Sequence, residues 1–220
     1  MTFYEDDFSD SISEDDFSNS ISEDDSFSLR RHLSSMIPDI RKYTIWLTAM
    51  FVVSLPLGYV VGFYTPSLLD TVVDSMNLPE TESSFEFMIS IFLNNSKAAG
   101  MLVFLGFIFA VLPIFSIFMN GMIIGIFSEY VIRTEGFSFL LVGLLPHGII
   151  EIPLILLSAG IGFKMGVGTL QVIFKKKSIR LFLFDFLAAA LLFLIVIVPL
   201  LLVAALIESY VTGFLLEQLF

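Results

Sequence analysis

His147 and Glu151 are the residues of this chain whose types and spacing best suit chemistry. Four residues apart, they share one helical face within reach of each other. They lie in LLPHGIIEIPLILLSAGIGFKMG, Leu144–Gly166, an apolar run interrupted by Pro146, Gly148 and Pro153, with Lys164 near its far end. An ionisable side chain is costly in hydrocarbon, so it faces a bundle interior or a wet cavity and has a partner. Two uses fit the pair: a hydrogen-bonded clamp on a kinked helix, or a relay for protons or ions. Asn94, Asn95 and Asn120 either line the same cavity or cap helix ends.

Hydrolytic chemistry lacks its usual partners. A zinc hydrolase places a second histidine at HExxH-type spacing, whereas His32 precedes the first apolar run and is expected outside the membrane. Ser158, in LSAG, has neither the Gly-flanked elbow nor the base of a serine hydrolase. The absence of cysteine removes thiolate ligands, thiol nucleophiles and disulfides. Phosphate-loop and dinucleotide fingerprints are absent, as is a basic face for nucleic acid. The expectation is a non-enzymatic protein with no catalytic set, no metal and no cofactor.

The elements that position these residues must be membrane helices. The 220 residues are 56% hydrophobic and include Phe 25, with a mean hydropathy of +0.91; soluble domains are about 45–50% apolar. The expected fold class is all-α, a polytopic helical membrane protein. Apolar runs place spans near 44–64, 98–119, 121–132, 137–163 and 181–210, since a bilayer core needs about 20 residues. The run from Ala98 to Ile132 is too long for one helix, so a break is placed at Asn120–Gly121. Pro146–Pro153 predicts a broken or re-entrant helix, because prolines and glycine free backbone groups that protein or water must satisfy. Phe85, Met88, Ile89 and Phe92 form one helical stripe. It is either a helix flat at the interface or the start of the second span.

Small residues mark close helix contacts. Gly121 and Gly125 are one small-xxx-small pair, and Ser158, Gly162 and Gly166 form another stripe. The second stripe serves packing within the chain or across a dimer interface.

The net charge of −11 belongs mostly to one end. EDDFSDSIS from Glu5, EDDFSNSIS from Glu14 and EDDSFS from Glu23 repeat with a period of nine, without a base before Arg30. Such a segment, residues 1–28, is expected to stay disordered beside a membrane domain of residues 29–220. Arg30, Arg31, Arg41 and Lys42 precede the first span, and Lys175, Lys176, Lys177 and Arg180 precede the last. With five spans the positive-inside rule puts both groups, including the loop 164–180, in the cytoplasm. The acidic loop 65–96 is then external, the N-terminus cytoplasmic and the C-terminus external, in the cell membrane.

IFLNN at Ile91–Asn95, NG at Asn120–Gly121, LPHGIIEIP at Leu145–Pro153 and SAGIGFKMG at Ser158–Gly166 together resemble the stage II sporulation protein M family. The resemblance runs from about Ile40 to the end; Lys164 stands where that family is expected to have arginine. It implies a multi-span protein of bacteria or archaea. It also implies an organiser of the kind that, in spore formers, anchors peptidoglycan-cleaving enzymes during engulfment. Expected partners are the lipid bilayer, other membrane or envelope proteins and a second copy, with no nucleic acid. The reading from a different class is a channel or transporter whose path passes His147 and Glu151.

Overall fold

The computed structural model describes residues 14–67, 83–108, 110–212 and 218; within these, the side chains of 14–30 and 145–147 are left undescribed. The described chain is helical, without strands. Helix α1 is Glu14–Tyr64, α2 Ser84–Leu105, α3 Val111–Thr134 and α4 Phe137–Ile173. The last span is Ile179–Thr212, made of α5 (Ile179–Leu192), a π turn (Phe193–Ile197), α6 (Val198–Ile207) and a second π turn (Glu208–Thr212). Five of these segments are long and apolar enough to cross a membrane, the count expected from the sequence.

Helix α4 is the centre of the bundle. Of its most apolar window 56% is buried, against 22–28% for the other spans. One core cluster joins its Leu154, Ile161 and Met165 to Met36 and Ile40 of α1, Val103 of α2 and Phe182, Ala189 and Leu201 of the last span. Its Leu156 and Ala159 pack in a second cluster with Leu47 and Phe51 of α1, Leu102 of α2 and Ile117 of α3.

Several boundaries differ from the sequence reading. The turn between the second and third spans lies at Gly106–Ala110, while Asn120–Gly121 falls in mid-helix. Pro113 occupies the first turn of α3, where a missing N–H costs nothing. Asn120 donates from Nδ2 to the Ser116 carbonyl of its own helix at 2.8 Å and breaks nothing. The Phe85–Phe92 stripe belongs to α2, which starts the second span at Ser84 rather than Ala98.

Nor does α4 break. It continues for 37 residues through Pro146, Gly148 and Pro153. A break would release several backbone groups into hydrocarbon, whereas a proline inside a helix frees fewer, which neighbours can satisfy. Helix α1 begins at Glu14, within the acidic repeats. Adding residues to an existing helix needs no new nucleus, and acids near its N-terminus suit the macrodipole. Residues 1–13 lie outside the described residues, so the first repeat does too.

Side chains from residue 32 onward tie α1 into the bundle: Leu33 packs on the core and Met36 is 2% exposed. Deleting residues 1–28 should therefore leave membrane insertion and the melting temperature of the purified protein nearly unchanged. A large fall in melting temperature would show that the repeat docks on the bundle.

The turns at both ends of α4 have plain causes. Gly136 has φ of 93°, a conformation that favours glycine. With it, the N–H groups of Glu135 and Gly136 both reach the Val131 carbonyl and close α3. At the other end, Ser178 caps α5 by accepting from the Leu181 N–H. Pro199 follows the first π turn, the wider geometry that accommodates its missing donor.

Candidate functional site

Helices α2 and α3 leave a cleft between them, floored by α4 and by Phe51 of α1. Its volume is about 270 Å³, and its polar lining is Asn94, Asn95, Ser116, Asn120 and Glu151. Glu151 is 1% exposed at the floor. Asn94, Ala98, Met101 and Asn120 are exposed at the rim, so the cleft opens sideways. Asn94 stands ten residues from the start of the 22-residue α2, about 15 Å from either end. These polar groups therefore lie near the middle of the length of α2.

The three asparagines share this cleft, and none caps a helix. The described N-caps with side-chain hydrogen bonds are Ser83 and Ser178. Gly148 has room for a methyl group, its nearest neighbour being Ile152 Cδ1 at 3.9 Å, and Pro153 is exposed. The side chains of Pro146 and His147 lie outside the described residues, and the geometry of the His147–Glu151 pair with them.

Lys164 does not join this group. It is thirteen residues beyond Glu151 on α4, about 20 Å along the axis. There its Nζ donates to Asp185 Oδ2 at 2.9 Å. Lys177, from the loop after α4, also donates to Oδ2. His32 Nε2 meets Oδ1 at 2.7 Å. One carboxylate, 2% exposed, thus ties α1, α4, the following loop and α5 together.

His32 is consequently part of the bundle, not of a tail beyond it. An acid near the start of a long apolar span, just after a run of lysines, was the signal for this knot. Its partners lie 21 and 153 residues away for Lys164 and His32, a pairing that no local spacing reveals. A further buried acid, Glu129 of α3, pairs with Arg133 at 3.2 Å.

The small-residue stripes pack within the chain. Gly121 and Gly125 of α3 meet Ser54, Leu55 and Gly58 of α1. Gly162 and Gly166 of α4 receive Leu102 of α2 and Gly106 and Ala110 of the α2–α3 turn. Ser158 is buried and donates to the Leu154 carbonyl at 2.7 Å. The Gly162–Gly166 face is therefore occupied by the chain itself and is not free for a dimer interface, because the backbones already touch there.

The residues quoted for the family resemblance thus fall on the cleft, its floor and the packed face of α4. Residues 47–213 match the family model described as Stage II sporulation protein M. The chain belongs to that family. Among similar curated proteins, the uncharacterized protein MJ0706 of Methanocaldococcus jannaschii is 28% identical over 198 residues, covering 84% of this chain and 88% of its own. The uncharacterized protein MJ0793 of the same organism is 30% identical over 178 residues, covering 78% and 94%. No solved structure matches. The family match covers four of the apolar helices wholly and the second half of the first, and both the cleft and Asp185 lie inside it.

Proposed function

We propose that this member of the stage II sporulation protein M family is a non-enzymatic scaffold that organises partner proteins in the membrane. The observation that carries this reading is the Asp185 knot. Three donors from three parts of the chain hold one buried acid, which locks neighbouring spans to one another. A conduit needs such elements to part or rearrange, whereas a scaffold needs them fixed. In the proposed orientation the Asp185 end, with Lys175, Lys176, Lys177 and Arg180, faces the cytoplasm, as the positive-inside rule requires. Partners are membrane or envelope proteins reached through the loop after α1 or through the acidic N-terminal segment.

Orientation has its own check. Reporters fused after Gly136 and after Lys177 should lie on opposite faces, the second in the cytoplasm; an external Lys177 reporter contradicts the arrangement. The scaffold reading is tested by affinity purification from native membranes with chemical crosslinking. Specific membrane or envelope proteins should co-purify with the intact chain and be lost when the loop 65–83 or the segment 1–28 is removed. Recovery of the chain with no partner that either deletion removes would overturn it.

A further inference from the structure

The rim of the α2–α3 cleft carries a cation that the bundle does not use. Lys97 is exposed on α2, one helical turn from Asn94 and from Met101, both of which line the cleft. It has no ion pair among the described residues. It lies eight residues from the Leu105 end of α2, about 12 Å along its axis, on a helix apolar enough to cross a membrane, where an unpaired ammonium is costly. Beside it opens a cavity lined by three carboxamides, a hydroxyl and the carboxylate of Glu151. A lysine from outside matches the asparagines at the rim, because amide oxygens accept what an ammonium donates.

We infer that two copies of this chain associate along α2, with Lys97 of each copy entering the cleft of the other. The arrangement is self-complementary: the same patch supplies the cation and receives it, as a two-fold interface demands. Leu93 at 58% exposure and Met101 at 47% supply apolar contact around the polar centre. Ala98, also exposed, lets the two α2 backbones come close. This deepens the scaffold reading and rests on it, since a paired scaffold presents two sets of partner surfaces on one frame.

The absence of cysteine makes the test clean. Single cysteines are introduced at Asn94, at Met101 and, as a control on the lipid-facing side of α6, at Val203. Each protein is reconstituted at low density in phosphatidylcholine–phosphatidylglycerol vesicles and oxidised with copper phenanthroline. Crosslinked dimers are expected from Asn94→Cys and Met101→Cys and not from Val203→Cys. In the Met101→Cys background, Lys97→Met should reduce crosslinking to the control level, and Lys97→Arg should retain it. The melting temperature of both is measured in detergent at a dilution where the wild type is monomeric, and there it should not change, because Lys97 is exposed in the single copy. Monomers in every case, equal crosslinking at Val203, or crosslinking that survives Lys97→Met would each overturn the dimer. The scaffold reading is judged separately, by loss of partners on deleting the loop or the N-terminal segment.

Discussion

Replacing Asp185 by leucine should destabilise the folded bundle by about 3–5 kcal/mol, the cost of removing one partner from a buried ion pair. The leucine fills the space but leaves the Lys164 ammonium, itself 8% exposed, without its counter-charge. Lys177 and His32 lose less, because they are 18% and 23% exposed and can turn toward water. The double variant Asp185→Leu with Lys164→Met should recover much of the loss, since apolar replacement of a whole buried pair is often neutral. Thermal unfolding of the purified proteins in detergent reads both effects. Equal instability of the single and double variants would show that the knot is not held by this charge pair.

The second large effect concerns the contact of α3 with α1. A Cβ on Gly125 would lie 2.2 Å from the Leu55 carbonyl oxygen and 2.7 Å from the Tyr59 nitrogen. Both are backbone atoms, so a side chain cannot turn aside to make room. Gly125→Ala should cost at least the ~1–3 kcal/mol of ordinary overpacking, and Gly125→Leu should prevent the two helices from docking. Gly58→Ala is expected to behave alike, with Met122 O only 2.1 Å from its added carbon. Gly143→Ala is the contrast, since nothing lies within 4 Å of that site. There the better helix propensity of alanine can even stabilise, by up to about 1 kcal/mol. Comparable losses at Gly125 and Gly143 would mean that close approach is not what glycine provides.

These contacts show what could be read from the sequence. Long apolar runs are a physical requirement of crossing hydrocarbon, so the all-α class and the five spans were legible. Boundaries were less so, because glycine and proline have two meanings in such runs. Gly121 was read both as part of a break and as a close contact, and only the contact holds, while Gly106 and Pro113 mark the actual turn. The continuity of α4 through Pro146 and Pro153 was hidden for a related reason. In water a proline often ends a helix, but in lipid the alternative to continuing is exposed backbone.

The candidate site was half legible. Asn94, Asn95, Asn120 and Glu151 could be named as cavity residues because polar groups inside apolar runs stand out. Lys164 was named with them, although helix rise alone places it about 20 Å from Glu151. The knot was missed because His32 seemed to belong to a charged leader and Lys177 to a basic loop. Only the folded chain shows that both bend toward Asp185.

In the proposed reading the polar groups of this bundle hold it together and do not conduct. The most direct measurement is ion and proton flux into vesicles containing the wild-type protein or Glu151→Gln, at matched protein density. Glutamine keeps the shape and hydrogen-bonding capacity of glutamate but cannot titrate. Neither protein is expected to show flux above empty vesicles, and both should be equally folded. A wild-type flux that is lost in Glu151→Gln would contradict the proposed reading and make the cleft a conduction path.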